Sequence, residues 1–188
     1  MTLHADAVAV LSSWAAPTPE EEALRLEFLD HLRAHDDAML RECVPGHLTA
    51  TTAVLSHDGS QVLLTLHPKA KMWLPMGGHC ETSDTSLAEV ALREAWEESG
   101  ITGLRLLPGP LAVDRHLVWC HPPHSWHLDV EYAAVAPPDA TTVISDESLD
   151  LRWFPVDEIP EPSDEATRRL AARGREVLGS SSRALGLG

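Results

Sequence analysis

Residues 77–101, GGHCETSDTSLAEVALREAWEESGI, constrain the fold of this chain more than any other segment. Apolar residues recur there at the spacing of one helix face: Leu87, Ala91 and Ala95. Good N-cap residues precede them: Asp84, Thr85 and Ser86. Gly100 follows Ser99 and suits the left-handed residue that ends a helix. The pattern predicts a helix that ends at Ser99 and packs its apolar face on a sheet.

The predicted helix carries three glutamates at i, i+3 and i+4, so their side chains share a second face: Glu94, Glu97 and Glu98. Like charges at i, i+4 destabilise a helix by about 0.2–0.5 kcal/mol per pair. Carboxylates near the C-terminus also oppose the helix dipole, by about 0.3–1 kcal/mol each. Arg93 offsets part of this. The cluster favours a hard cation such as Mg²⁺, which prefers carboxylate oxygens; the alternative is a solvated acidic face.

These residues together resemble the signature of the Nudix hydrolases, G-x5-E-x7-R-E-U-x-E-E-x-G-U, in which U is aliphatic. Gly78 matches the first glycine, and REAWEESGI at 93–101 matches the second half. The chain departs from the signature at Asp84, which stands in place of glutamate, and in the eight residues between Asp84 and Arg93. We expect the loop around residues 83–86 to absorb the extra residue, because inside the helix it would rotate all later side chains by about 100°.

The resemblance implies metal-dependent hydrolysis of a nucleoside diphosphate linked to another group, with Mg²⁺ or Mn²⁺ as cofactor. A nucleoside triphosphate, ADP-ribose, a nucleotide sugar or a dinucleotide would be the small-molecule partner. By matched position, the implied metal ligands are Gly78, through the carbonyl of a Gly77–Gly78 turn, and Glu94, Glu97 and Glu98. Glu97 or Glu98 would also act as the catalytic base, and Arg93 would hold the carboxylates in place.

Further site candidates lie outside the helix. His79, beside the glycines, is a candidate phosphate contact, and Glu147 is a candidate additional ligand or base in a later loop. On one predicted strand, His127 and Asp129 share a face and are candidates for the substrate pocket, while Trp126 is a candidate for base stacking. The alternatives are an exposed loop histidine, a solvated loop acid, ordinary sheet-surface residues and a core tryptophan.

A zinc site at His121, His124 and His127 with Asp129 is an alternative. These residues cross from a predicted loop into a strand and lack the usual tetrahedral His/Cys spacing, so a place in the pocket or on the ordinary sheet surface is favoured over zinc binding. Cys80 lies in the signature loop, where a nucleophile or a passive thiol would fit; the passive thiol is favoured. The three cysteines are far apart and odd in number, which does not suggest disulfides.

Alternating β-branched segments at residues 48–55 and 61–66 flank Asp58-Gly59 and predict a hairpin. Further strands are predicted at 104–107, 111–120, 126–135 and 151–154, and a helix capped by Ser163 over 163–177. Residues 1–16 form an apolar lead, followed by a helix from Glu20 to about Arg41 that breaks within 30–37. The resulting fold class is α/β (α+β): a Nudix-type α/β/α sandwich with a mixed β-sheet and an N-terminal helical extension.

We expect three regions: an N-terminal helical extension packed on the domain (1–45), a Nudix hydrolase domain (46–178) and a flexible tail (179–188). The extension offers surface for a homodimer.

The 14 basic and 29 acidic residues give a net charge of −15, which opposes binding to a nucleic-acid duplex. No apolar run reaches membrane-spanning length, and no Lys or Arg precedes Arg25, which argues against a signal peptide. A cytoplasmic location is expected.

Two other functions remain open from the sequence. One is a Nudix-like module that senses a nucleotide without cleaving it, which metal-dependent turnover would exclude. The other is an isoprenoid diphosphate isomerase on the same fold, which would release no phosphate. The complete REAWEESGI run at 93–101 favours hydrolysis over both.

Overall fold

The computed structural model describes residues 1–118, 124–146 and 148–184, with side chains described up to residue 180. The helices are α1 Leu3–Ser13, α2 Pro19–Ala34, α3 Leu87–Ser99 and α4 Glu165–Ala184. The strands are β1 Gly46–Leu55, β2 Gln61–Leu66, β3 Trp73–Leu74, β4 Met76–His79, β5 Arg105–Leu106, β6 Ala112–Val118, β7 Ser125–Val135 and β8 Leu151–Pro155.

The strands form one mixed sheet, as the sequence predicted, with β1 at its centre. β1 and β7 run parallel, in register from Gly46 opposite Trp126 to Leu55 opposite Val135. The other pairs are antiparallel: β1 with β2 and β4, β2 with β3 and β8, and β7 with β5 and β6. The predicted hairpin of β1 and β2 is confirmed, and Gly59 in its turn has a φ of 72°.

Helices cover both faces of the sheet, which confirms the sandwich. On one face, Leu48, Leu128 and Val130 pack in one apolar cluster with residues of α1, α2 and α3. On the other face, Leu55 and Ala133 pack against Leu170, Ala171 and Leu178 of α4. Within the described part of the chain, no helix combines the length and hydropathy needed to cross a membrane.

The N-terminal segment differs from the prediction. Residues 3–13, predicted to be part of an apolar lead, form α1, whose N-terminus is capped by the Thr2 hydroxyl 3.2 Å from the amide of Ala5. Helix α2 ends at Ala34 instead of continuing in pieces to Arg41. Both N-terminal helices pack on the sheet, and α2 also reaches α4, because its Glu21 accepts a 2.9 Å hydrogen bond from Arg173.

Helix α3 has the predicted ends, and α4 does not. Ser86 caps α3 by accepting a hydrogen bond from Glu89, and Gly100 ends it with a φ of 68°. The α4 cap is Asp164, which accepts a 2.7 Å hydrogen bond from the Thr167 amide, while the hydroxyl of Ser163 bonds to the Trp73 carbonyl. Helix α4 also continues to Ala184, beyond the predicted end at 177.

Candidate active site

Two of the three glutamates of α3, Glu94 and Glu98, contact strand β4. One oxygen of Glu98 accepts a 2.9 Å hydrogen bond from the backbone N–H of Gly77. The Glu94 carboxylate lies against Gly78, where an added Cβ atom would be 2.6 Å from the Glu94 carboxyl carbon. The glycines do not form the predicted turn: Gly77 and Gly78 belong to β4, paired with Thr51 and Ala50 of β1. Two glycines in the middle of a strand let the helix bring its carboxylates against the backbone.

Arg93 connects the cluster to the loop before the helix. Its guanidinium donates to Glu94 (2.8 Å), Glu97 (3.1 Å), both carboxylate oxygens of Asp84 (3.2 and 3.0 Å) and the carbonyl of His79 (2.9 Å). Burial by itself lowers the pKa of Arg93, but the hydrogen bonds to Asp84 and Glu94 outweigh it, and the pKa is raised above its ordinary value. A permanently charged guanidinium therefore fixes the positions of three carboxylates.

Asp84 takes part in this network although it is one methylene shorter than glutamate. Besides Arg93, its carboxylate accepts a 2.7 Å hydrogen bond from the amide of Glu81, and its side chain is only 6% exposed. Helix α3 begins at Leu87, so the extra residue between Asp84 and Arg93 lies in the loop, as expected, and the glutamates keep their common face.

The cluster forms one wall of a cleft of about 1390 Å³. The floor is a polar patch on the α4 side of the sheet, formed by three rows that cross β1, β7 and β6. In the register of these strands the rows are His47, His127 and His116; Thr49, Asp129 and Asp114; and Thr51, Glu131 and Ala112. The first turn of α4, with Ala166 and Thr167, forms part of the opposite wall.

Comparisons with known proteins identify the family. The family model of the NUDIX domain matches residues 46–174. The chain belongs to the Nudix family. No curated protein sequence matches it.

Solved structures of Nudix proteins share the fold. A Nudix-family hydrolase from Clostridium perfringens is 25% identical, with a TM-score of 0.53 over 72% of this chain and 97% of that one. The NUDIX domain of Shewanella oneidensis NrtR, complexed with ADP ribose, is 22% identical, with a TM-score of 0.53 over 79% and 97%. NrtR complexed with a 27mer DNA is 23% identical, with a TM-score of 0.52 over 72% and 63%.

The floor of the Nudix cleft holds two buried carboxyl groups. Asp129 accepts a 2.8 Å hydrogen bond from Thr49, and burial raises its pKa. Burial and the nearby charge of Asp129 raise the pKa of Glu131 to about 8, although Arg169 of α4 donates to Glu131 at 3.0 Å. Sequence reasoning placed Asp129 in the pocket but did not select Glu131 or Arg169.

Four histidines gather at the other end of the floor. The rings of His47, His79 and His127 lie 4.9–5.0 Å apart between centroids, and His116 lies 5.2 Å from His127. Burial, with the neighbouring imidazoles, lowers the pKa of His127 to about 2, so this ring is neutral. Sequence reasoning missed His47 and His116, because only the pairing of β1, β7 and β6 brings them beside His127.

Two candidate residues that the structure describes, Trp126 and His124, do not line the cleft. Trp126 is a correction: it lies on the sheet face opposite to His127, as strand alternation requires, and packs under the guanidinium of Arg115 at 4.6 Å. Glu147 and His121 lie outside the described residues. His124 is exposed, and His127 groups with His47 and His79, so the described residues do not support the zinc ligand set considered from the sequence.

Cys80, in the loop of the Nudix signature, is buried. Its thiol lies 3.6 Å from the Leu48 carbonyl, and burial raises its pKa to about 12. A protonated thiol is a poor nucleophile, which supports the interpretation of Cys80 as a passive thiol.

Proposed function

We propose that this Nudix protein hydrolyses a diphosphate linkage in a nucleoside diphosphate joined to another group, with a divalent cation as cofactor. The observation that carries the proposal is the convergence of Glu94, Glu97 and Glu98 on the wall of the cleft, which also includes Gly77 and Gly78 of β4. The positions of the glutamates are fixed by Arg93 and by the amide of Gly77. An acidic helix face whose carboxylates were only exposed to solvent would not need this network of hydrogen bonds.

The residues at this site fit Mg²⁺ or Mn²⁺. The donors are hard oxygens, which these cations prefer. Position 78 has no side chain, and the space that a Cβ would fill is taken by the Glu94 carboxylate. Glu94, Glu97, Glu98 and the carbonyl of Gly78 would hold the ion. Once bound, it would neutralise the diphosphate and lower the pKa of a water molecule.

The chain's own residues divide the remaining tasks. Arg93 positions Glu94 and Glu97 through hydrogen bonds to both. Glu97, whose side chain is 45% exposed, and Glu98 are the candidates for the base that takes a proton from the attacking water. In a variant series at these two positions, loss of the base should remove the ionisation that limits kcat at low pH, whereas loss of a metal ligand should also weaken metal binding.

The floor of the cleft suits the part of the substrate that is not phosphate. Asp114, Asp129 and Glu131 line the floor. The hydrogen bond with His116 lowers the pKa of Asp114, so this carboxylate is charged and would repel phosphate oxygens. We therefore place the diphosphate at the glutamate wall and the hydroxyl or amino groups of the substrate on the floor. His79, His127 and Asp129 line the cleft and are proposed substrate contacts.

The test is a phosphate-release screen with pyrophosphatase and phosphatase in excess, with Mg²⁺ or Mn²⁺. The panel holds nucleoside triphosphates, ADP-ribose, nucleotide sugars and dinucleotides. Glu98→Gln retains the oxygen that accepts from Gly77 but removes the charge, so we expect it to fold and to lose orders of magnitude in rate. Glu176→Gln, an exposed glutamate of α4, is the matched control with unchanged rate. Full activity of Glu98→Gln would contradict the assignment.

The second candidate is a nucleotide-sensing module, favoured by one observation: NrtR, whose NUDIX domain was solved with ADP ribose, was also solved with DNA. Binding of ADP-ribose to this chain without metal-dependent turnover would support sensing over hydrolysis.

An isomerase that uses Cys80 is disfavoured by the burial of that thiol. A cytoplasmic location, a homodimer and the absence of duplex binding remain predictions.

A further inference from the structure

Three histidine side chains from three different strands meet at one end of the cleft floor: His47 of β1, His79 of β4 and His127 of β7. Each offers a ring nitrogen that lies within 4.8 Å of the corresponding nitrogen of the other two. His47 is fully buried, whereas His79 and His127 line the cleft. The group is therefore closed on one side and open towards the cleft on the other.

The sheet itself fixes this arrangement. His47 lies directly opposite His127 in the parallel pairing of β1 and β7. His79 lies opposite Thr49, two residues along β1 from His47, in the antiparallel pairing of β1 and β4. Because alternate residues of a strand share a face, His47 and Thr49 point to the same side. Ligands on paired strands are held more precisely than ligands on loops.

The donor set is chemically distinct from the glutamate wall. Imidazole nitrogens suit Zn²⁺ and its neighbours in the transition series, while carboxylate and carbonyl oxygens suit Mg²⁺ and Mn²⁺. Three protein ligands with one open position are typical of catalytic zinc sites. Zn–N bonds of about 2.0–2.1 Å in a tetrahedron place nitrogens about 3.4 Å apart, so small side-chain rotations would bring the three rings to bonding distance.

Acidic side chains lie near this position, which Arg41 also approaches closely enough to lower the pKa of His127. The ring of His116 lies edge-on to His127, with the centroids 5.2 Å apart, and its Nδ1 lies 3.2 Å from the Asp114 carboxylate. Asp129 lies two residues along β7 from His127, on the same face, and accepts from Thr49. The chain carries a net charge of −15. Acidic residues lining a cleft raise the local concentration of cations.

We propose that His47, His79 and His127 form a binding site for a transition-metal ion such as Zn²⁺, separate from the carboxylate site on α3. The fourth position of the ion faces the cleft. There it would take water or an anionic oxygen of a bound ligand, which adds a positive charge to an otherwise acidic floor.

The direct test uses Co²⁺ as a spectroscopic substitute for Zn²⁺. The full chain is stripped of metal, saturated with Mg²⁺ to fill the carboxylate site and titrated with Co²⁺. We expect one equivalent to bind with the visible absorption of a four-coordinate site, and Zn²⁺ to displace it. Absence of this absorption in the wild-type chain would overturn the proposal. Phosphate release with Mg²⁺ alone does not depend on this result, so failure here leaves the hydrolase proposal standing.

Variants locate the site. Loss of an outer-shell partner costs about 10–100-fold in metal affinity, so His79→Ala and His127→Ala, which remove a ligand, should each lower Co²⁺ affinity by more than about 100-fold. His57→Ala, which removes an exposed histidine of the hairpin turn, is the matched control. Glu98→Gln should keep full Co²⁺ affinity. Loss of binding in Glu98→Gln, with retention in His127→Ala, would assign the ion to the carboxylates instead.

A measurement on the wild-type chain covers the case in which a histidine variant fails to fold. X-ray absorption of the zinc-loaded, Mg²⁺-saturated protein counts the imidazole ligands directly. Three imidazole ligands on the ion support the proposal, and oxygen ligands alone overturn it.

Discussion

The carboxylate of Glu94 occupies the space that a side chain at Gly78 would need: a Cβ there would lie 2.6 Å from the carboxyl carbon of Glu94. The backbone conformation of Gly78 does not require glycine, because Gly78 is not among the described residues with positive φ. Glycine is required there because the Glu94 carboxylate leaves no room for a side chain. The first glycine of the Nudix signature, Gly78, and the first glutamate of its second half, Glu94, therefore form one structural unit.

Gly78→Ala should damage function more than stability. The clash falls on the end of a flexible glutamate side chain, which can rotate away only by giving up its hydrogen bond from Arg93. The unfolding free energy should therefore fall by about 1 kcal/mol, the low end of the range for overpacking. The displaced Glu94 carboxylate should weaken Mg²⁺ or Mn²⁺ binding and lower the hydrolysis rate at least about tenfold. Metal titration, turnover and denaturant unfolding of the variant check these expectations.

Gly77→Ala is the matched comparison, and we expect it to reduce stability more than Gly78→Ala does. Its Cβ would lie 2.8 Å from the Ala50 carbonyl and 2.9 Å from the Thr51 Cα, and backbone atoms cannot rotate away. We expect about 1–3 kcal/mol of destabilisation. If Gly78→Ala proves the less stable of the two, the contact between Gly78 and Glu94 does not explain the glycine.

Arg93→Lys should lose both stability and activity. Lysine keeps the charge but not the planar fork that reaches Asp84, Glu94 and Glu97 together. Hydrogen-bonding groups left without partners at this partly buried site should lower the unfolding free energy by about 1–3 kcal/mol. Denaturant unfolding and turnover measure the two effects. Arg33→Lys, at an exposed ion pair with Asp30, should change neither; equal effects of the two variants would refute a special role for Arg93.

Phe28→Ala tests whether the N-terminal helices belong to the folding unit. Phe28 is fully buried in the cluster that contains Leu48 and Val130. Truncation of a core phenylalanine typically costs about 3–5 kcal/mol. Leu26→Ala on the same helix, at a side chain 47% exposed, should stay within about 0.5 kcal/mol. A similarly small cost for Phe28→Ala, measured by denaturant unfolding, would mean that residues 1–45 fold separately.

The carboxyl group of Glu131 should make stability depend on pH. Its pKa is about 8 in the folded chain against an ordinary value of 4.5, so the folded state holds more protons between these values. Stability from this group is complete below pH 4.5 and is lost as the pH rises through 8, by at most about 1.4 kcal/mol per pH unit. Denaturant unfolding of wild type and Glu131→Gln across this range should give diverging curves; parallel curves would contradict the raised pKa.

Local patterns allowed much of the site to be predicted. Three features depend only on spacing within one helix or strand, which can be read directly from the sequence. They are the caps of α3, the common face of Glu94, Glu97 and Glu98, and the placement of His127 with Asp129. The same alternation placed Trp126 opposite to His127, yet base stacking was assigned to it from residue type alone, and that assignment was wrong.

The features that were missed depend on pairing between distant segments. His47 gives no local signal, because its position beside His79 and His127 requires the register of β1 with both β4 and β7. Arg169 and Glu131 meet only when α4 packs on the sheet. Helix α1 was missed because an alanine- and valine-rich segment of eleven residues lacks a marked polar face, and its burial against α2 and α3 decides its structure.

The parallel pairing of β1 and β7 has a kinetic consequence. Its partners, such as Thr49 and Asp129, are 80 residues apart, so the chain must close a long loop before the pair gains any contact energy. Non-local pairing of this kind slows folding. The cleft floor therefore cannot form in a hairpin or an isolated helix, and during refolding the ability to bind a ligand should return only with the complete sheet.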